Sequence, residues 1–166
     1  MSIRSRLAVS AALVLAAFGA QAQTGAVRAE KNISLELANQ IATATVAACA
    51  ANGYAVAATV VDRAGVVRAV QRADNAGPHT IAASERKAFT SASAKAPTKL
   101  MLENSQKNPG AATLGDIPGF LLLGGGLPIK AGNEVIGAVG VGGAPGGHLD
   151  EQCAQTALDK FKADLG

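Results

Sequence analysis

The feature that most constrains the fold is a short valine-rich run at residues 54–61, which a turn separates from a second strand-like run. The first run is continuously apolar and short, which is typical of a strand buried on both faces. Gly65 predicts a tight turn at residues 62–65, because glycine adopts a positive φ without a steric penalty. Residues 66–72 mix valine with polar side chains, as expected of a partner strand nearer solvent. The sequence therefore predicts a β-hairpin.

Helical patterns flank this hairpin. Apolar residues recur three or four positions apart at 34–52, and Gly53 ends the helix predicted there. Pro78 suits the first turn of a second helix, because its missing N–H is not needed at that position. The other predicted elements are that second helix at 78–94, helices at 98–103 and 149–163, strands at 120–123, 127–130 and 134–141, and a long polar loop at 104–118. The order α-β-β-α-(α)-β-β-β-α predicts a mixed α/β (α+β) fold with a largely antiparallel sheet flanked by helices.

The first 22 residues have the pattern of a cleavable secretory signal. Arg4 and Arg6 give it a positive start. Residues 7–18 are almost entirely apolar, and residues 20–22 have the small residues that a signal peptidase reads. A short N-terminal membrane anchor is the alternative, but the apolar run is too short to cross a bilayer comfortably. We predict cleavage near Ala22 and a periplasmic or secreted protein.

Beyond the signal, we predict a flexible segment at 23–32 and one domain at 33–166, which is long enough for a single hydrophobic core. No later apolar run approaches membrane-spanning length, so the mature protein is not expected to be membrane-embedded. The chain has 15 Lys+Arg and 12 Asp+Glu, and loss of Arg4 and Arg6 with the signal leaves a net charge of +1. With one Tyr, four Phe and no Trp, it lacks the basic face and the stacking aromatics that nucleic-acid binding requires.

The chain has two cysteines, Cys49 and Cys153. Their spacing matches no metal-binding motif, and an oxidising compartment permits a disulfide between them. Two separately buried thiols are the alternative, because a sequence does not give the Cα separation that a bridge requires.

A glycine-rich run at 137–147 invites comparison with a dinucleotide-binding loop. Pro145 stands where the third glycine of that motif belongs, and a single helix follows, so no βαβ unit can form around the run. The glycines are therefore expected to let a strand pack closely and then turn. Gly142, Gly143 and Gly146 are also a candidate loop for an anion or a propionate, because they precede a helix N-terminus.

Two histidines are the remaining chemical candidates. His79 lies at the start of the second predicted helix, and Arg86 and Lys87 follow it on that helix. His148 ends the glycine-rich run. An imidazole on a rigid turn can ligate a transition metal or haem iron, and Arg or Lys can pair with ligand carboxylates. The alternative for each is an ordinary surface or helix-start histidine.

The sequence gives little support for an enzyme. It contains no G-x-S-x-G, no His-x-x-x-His and no Cys-x-x-Cys pattern, and no paired acid and base is visible. A dedicated catalytic or zinc site is therefore not predicted.

Five segments, in the same order along the chain, resemble the GlcG/HbpS family. They are VVDRAG at 60–65, ADNAGPHT at 73–80, RKAFT at 86–90, GGLPI at 125–129 and VIGAVGVGGAPG at 135–146. The resemblance covers about residues 33–165 and implies a profilin-like α/β domain with a five-stranded antiparallel sheet. It also implies homo-oligomers, often octamers, and haem as a cofactor. Relatives include an extracellular haem-binding accessory to a redox-sensing two-component system, so a sensor protein is an expected partner.

The chain departs from the family pattern at two places. The family's axial histidine lies in the N-terminal region of the domain, whereas the predicted helix at 34–52 has none. The resemblance therefore implies His79 as the haem-iron ligand, with His148 second, and Arg86 or Lys87 as propionate contacts. The family's Ser-Gly-Ala appears here as Gly142-Gly143-Ala144, which removes a hydroxyl from that loop.

The favoured interpretation is thus an exported, haem-binding, redox-responsive accessory protein. The alternatives are a periplasmic binding module for a small organic acid or metabolite, and a ligand-free oligomeric stress protein. We also predict that Cys49 and Cys153 form a disulfide, which would join the first and last helices on one face of the sheet.

Overall fold

The computed structural model describes residues 26–166, and the predicted signal at 1–22 lies outside them. The helices are α1 (Leu35–Ala50), α2 (Thr80–Ala94), α3 (Thr98–Lys107), α4 (Gly147–Lys160) and α5 (Lys162–Leu165), and the strands are β1 (Ala57–Asp62), β2 (Val67–Arg72), β3 (Gly126–Ala131) and β4 (Glu134–Gly142). Short 3-10 turns at Pro109–Ala111 and Leu114–Asp116 lie between α3 and β3. None of the helices in this part of the chain has the length and apolar character needed to span a bilayer.

The strands form one antiparallel sheet in the order β2-β1-β4-β3. The predicted hairpin is confirmed, and its first strand is buried along its whole length at the centre of the sheet. Asp62 closes the hairpin turn, because its Oδ1 accepts hydrogen bonds from the amides of Ala64 at 2.9 Å and Val66 at 3.0 Å. Gly65 has a φ of +82°, as its place in the turn requires.

Helices cover both faces of this sheet. Val60 and Val139 belong to a core shared with α1 and α4, whereas Val61 and Ala138 pack against α2 on the other face. This alternation follows from the two-residue period of a strand. The predicted disulfide between Cys49 and Cys153 is present, with 5.2 Å between the two Cα atoms. It joins α1 to α4 on one face of the sheet, as the sequence predicted.

Glycines in β4 let α2 lie directly on the sheet. A Cβ atom at Gly140 would lie 2.0 Å from the carbonyl oxygen of Ser84, and one at Gly142 would lie 3.1 Å from the Cβ of Ala83. The close approach also brings Thr59 Oγ1 within 2.7 Å of Ser84 Oγ, and the two hydroxyls share a buried hydrogen bond. Close packing of a strand is therefore one role of the glycine-rich run, as predicted.

The sheet has four strands in the described residues, so the expectation of five was wrong. The predicted strand at 120–123 is irregular, because helix side chains take the hydrogen bonds that a partner strand would offer. The amide of Leu121 donates to Thr90 Oγ1 at 2.8 Å, and the hydroxyl of Thr98 donates to the carbonyl of Leu123 at 2.7 Å. These bonds hold the segment against α2 and α3.

Two element boundaries differ from the predicted ones in ways that affect the site. The last main helix begins at Gly147 and not at Leu149, so His148 lies in its first turn. The third helix continues to Lys107, and 3-10 turns occupy part of the region predicted as a loop at 104–118.

We expect Gly140→Ala to lower the free energy of unfolding by about 3 kcal/mol, since its methyl group would force α2 away from the sheet. Gly115→Ala is the matched control, because the nearest atom to a Cβ there is Leu122 Cδ1 at 3.9 Å. Urea unfolding followed by far-UV circular dichroism measures both. Equal stability of the two variants would contradict the close contact between β4 and α2.

Candidate functional site

His148 lies in a surface cleft at the start of α4. Its ring folds back over Gly146, where a Cβ atom would lie 2.8 Å from the ring Cε1. The cleft has a volume of about 330 Å³, and it is lined by Lys99, His148, Glu151, Gln152 and Gln155. It therefore brings an imidazole, an ammonium group and a carboxylate to one concave surface between α3 and α4.

Glu151 is the electrostatically unusual member of this cleft. Its Oε2 is buried and has no hydrogen-bond partner among the described residues. Burial raises the pKa of Glu151, and the Gly125 amide and the Lys99 charge oppose that rise only in part. Lys99 itself forms an ion pair with Glu103, which raises the pKa of the Lys99 ammonium. The cleft thus combines a lysine whose pKa is raised by its ion pair with a carboxyl group whose pKa is raised by burial.

His79 occupies a different environment. It immediately precedes α2 and is exposed, with its ring against Gly77, where a Cβ atom would lie 2.8 Å from its Cε1. It lies outside the cleft of His148 and outside the smaller pocket beside Arg86. His79 and His148 therefore do not line a common pocket among these two.

Lys87, a predicted ligand contact, lies inside the protein with 1% of its surface exposed. Its Nζ donates to Asp150 Oδ2 at 2.7 Å and to the carbonyl of Val141 at 2.8 Å. The other carboxylate oxygen of Asp150 accepts from the amide of Ala144 at 3.0 Å. A ligand on the surface does not reach this ammonium, so the role of Lys87 is to join α2 to α4 and β4.

Gly125 makes this internal ion pair sterically possible. It has a φ of +117°, and a Cβ there would lie 2.7 Å from the Cβ of Asp150 and 3.0 Å from Lys87 Nζ. The lysine side chain therefore passes beside Gly125 from one helical layer to the other. Burial raises the pKa of Asp150, while the Lys87 charge and the Ala144 amide oppose that rise.

Sequence reasoning missed Asp150 and Glu151 as site residues. Asp150 contacts Lys87 of α2, and Glu151 lies near Gly125 and near Lys99 of α3. These neighbours are distant in sequence, so no local pattern indicated that Asp150 is fully buried and Glu151 partly so.

The candidate glycine loop has a mainly steric role. Gly143 has a φ of +135°, and a Cβ there would lie 2.6 Å from the carbonyl oxygen of Ala55. Gly146 is the N-cap of α4. The Asp150 carboxylate already accepts from the Ala144 amide within this loop, which places a negative charge where an anion would have bound.

Arg86 lies on the exposed side of α2 and donates to the carbonyl of Phe120. It lines a pocket of about 200 Å³ together with Gly65, Glu85, Phe89, Pro118 and Gly119. Among residues 26–166, no group of three or more His, Cys, Asp or Glu side chains is arranged to hold a metal ion.

Comparison with known proteins identifies the family. The model of the family described as "Haem degrading protein HbpS-like" matches residues 33–159. The chain belongs to the HbpS-like family. HbpS of Streptomyces reticuli, solved as a double mutant, is 38% identical, with 92% of this chain and 99% of that chain covered and a TM-score of 0.76.

Two further proteins are similar to this HbpS-like chain. An uncharacterized 15.0 kDa protein of Citrobacter freundii, from the dhaT-dhaS intergenic region, is 35% identical over 137 residues, which are 74% of this chain and 94% of the relative. PduOC, solved as a complex with heme, is 22% identical, with 79% of this chain and 96% of that chain covered and a TM-score of 0.70. The similarity to PduOC shows a shared fold.

We expect Lys87→Met to lower the free energy of unfolding by about 3–5 kcal/mol, because it leaves the Asp150 carboxylate buried without its cation. The double variant Lys87→Met/Asp150→Asn should lose less than the sum of the single variants, since it removes both charges together. Urea unfolding at neutral pH gives the coupling. Lys99→Met, which removes an exposed ammonium, is the control and should change stability little. Additive single-variant effects would show that the two buried charges do not stabilise one another.

Glu151 should make stability depend on pH. Because its folded-state pKa lies above its ordinary value of 4.5, the folded protein binds more protons than the unfolded chain between the two pKa values. Stability contributed by the protonated group is therefore lost as pH rises through that window. Glu151→Gln should remove this loss, so its melting temperature relative to that of the wild type should rise as the pH increases above 4.5. A difference that stays constant with pH would show that burial does not perturb this carboxyl group.

Proposed function

We propose that this HbpS-like protein binds haem through His148 at the cleft between α3 and α4. The observation that carries the proposal is that the His148 imidazole and the Lys99 ammonium line the same cleft, which has a volume of about 330 Å³. Membership of a family described as haem degrading supports haem as the ligand class. The PduOC structure, a complex with heme, supports it further at the level of the fold.

The donor set of the cleft is suited to haem. A neutral imidazole is an axial ligand of haem iron, and a lysine ammonium can pair with a propionate. The volume is at the lower end of the roughly 300–1,000 Å³ typical of ligand pockets, so the cleft would hold part of the haem. The bound group would supply redox-active iron. The chain's own contributions would be an iron ligand, a charge for the propionate and the polar side chains of Gln152 and Gln155, which line the cleft.

His148 is preferred to His79 because of their surroundings. A haem ligand must approach the iron from a surface that also covers the porphyrin, and His148 lines such a concavity whereas His79 is exposed outside it. The predicted propionate role passes from Lys87, which is buried, to Lys99. His79 stays the second candidate, and it provides a matched control because both imidazoles are solvent-accessible.

The cellular setting is also part of the proposal. We propose that the chain is exported after cleavage near Ala22, on the basis of the charged, apolar and small-residue pattern of residues 1–22. We propose that it acts as a redox-responsive accessory to a sensor protein and assembles as a homo-oligomer, with an octamer as the expected size. The resemblance to the GlcG/HbpS family supports these assignments.

Titration of hemin into the purified protein should produce a Soret band that is shifted from that of free hemin, because the axial imidazole changes the ligand field of the iron. His148→Ala should weaken binding by about tenfold or more, which is a loss of at least about 1.4 kcal/mol. His79→Ala should bind as the wild type does. Lys99→Met should weaken binding without abolishing the axial-ligand spectrum.

The same titration gives clear contrary outcomes. An unshifted Soret band in the wild type would reject haem binding. Loss of binding in His79→Ala with retention in His148→Ala would move the iron ligand to the start of α2. If the Soret band forms and then decays in air with added ascorbate, haem degradation would be added to haem binding as an activity of the chain.

A further inference from the structure

A second pocket, on the outer side of α2, has the features of a small-ligand site and shares no lining residue with the haem cleft. Its floor is Phe89, whose ring is held between two loops. A Cβ atom at Gly65 would lie 2.8 Å from the ring Cδ2, and one at Gly119 would lie 3.1 Å from the ring Cε1. Phe120 meets the same ring edge-on, with 6.2 Å between centroids and 73° between planes. The aromatic floor is therefore held in place before any ligand binds.

Glu85 and Arg86 border this ring on the helix surface. Arg86 is three positions and Glu85 four positions before Phe89, so both lie on the same side of α2 as the ring. Because Glu85 and Arg86 are adjacent in sequence, their side chains leave the helix in different directions. Neither takes part in an ion pair with any residue of the described chain. Arg86 donates one hydrogen bond to the Phe120 carbonyl, and a guanidinium has five N–H groups, so donors remain for a ligand.

We propose that this pocket binds a small aromatic monocarboxylate. The volume of about 200 Å³ is large enough for a single aromatic ring. The ligand ring would contact the exposed part of Phe89, whose ring edges pack directly against the backbones of Gly65 and Gly119. The ligand carboxylate would form two parallel hydrogen bonds with the guanidinium of Arg86, which is the geometry that this group favours.

Glu85 sets the selectivity of the proposed pocket. Its carboxylate borders the same space as Arg86, so it repels a second negative charge on the ligand. A monocarboxylate should therefore bind better than a dicarboxylate of the same ring. A neutral amide of the same shape should bind more weakly, because it cannot neutralise Arg86.

Benzoate is the probe, and the amide NMR signals of Gly65 and Gly119 are the readout, since both residues line the pocket. We expect saturable shifts at these two signals with benzoate, weaker shifts with benzamide or phthalate, and none with acetate. Arg86→Gln should weaken benzoate binding by about tenfold, and Phe89→Leu by about two- to tenfold. Arg68→Gln, which removes an exposed arginine on β2, is the matched control and should change nothing.

Glu85→Gln gives a result that a merely structural role would not produce. It should strengthen binding of phthalate relative to benzoate, because the repelling charge is gone. The proposal is overturned if benzoate causes no shift at Gly65 and Gly119, if benzamide binds equally well, or if Arg86→Gln binds benzoate unchanged. Shifts that follow protein concentration and not benzoate would show that a second copy covers the pocket. Each outcome is independent of the hemin titration, because His148 and Lys99 are intact in all these variants.

Discussion

The internal ion pair between Lys87 and Asp150 is the interaction on which the rest of the structure depends. It joins α2 on one face of the sheet to α4 on the other. Removing an ammonium and a carboxylate from water is costly, so such a pair is tolerated only where further hydrogen bonds complete it. The Val141 carbonyl and the Ala144 amide provide those bonds here, and Gly125 leaves the space for them. This contact therefore helps to fix the position of α2 relative to α4.

The parts of the fold that were predicted correctly are those that local patterns determine. The continuous apolar run before Gly65 determined a buried strand and its turn, and the helical spacing at 34–52 determined α1. The disulfide was predicted from an even cysteine count and an oxidising compartment, and it is present. The secretory signal at residues 1–22 and the domain boundaries rest on sequence patterns alone, and they stay predictions.

The parts that were not predicted depend on contacts between distant residues. The apolar segment at 120–123 has the composition of a strand, but the hydroxyls of Thr90 and Thr98 satisfy its backbone, and these hydroxyls belong to helices. Likewise, nothing local distinguishes Lys87 from Arg86, although one is buried and the other exposed. Whether Lys87 or Arg86 is buried depends on which side of α2 faces the sheet. The amphipathic pattern of α2 is short and rich in small residues, so tertiary packing determines that side.

Both proposed sites are attached to the helices that this ion pair joins. His148 and Glu151 flank Asp150 in the first turns of α4, and Arg86 precedes Lys87 on α2. A buried residue of each helix thus fixes the orientation of its surface neighbours, because a helix that is held at one position presents its other side chains in a fixed direction. Binding chemistry on this fold can therefore vary at exposed positions such as His148 and Arg86 while the buried pair keeps the scaffold constant. This separation explains why family membership alone does not assign a ligand to this chain.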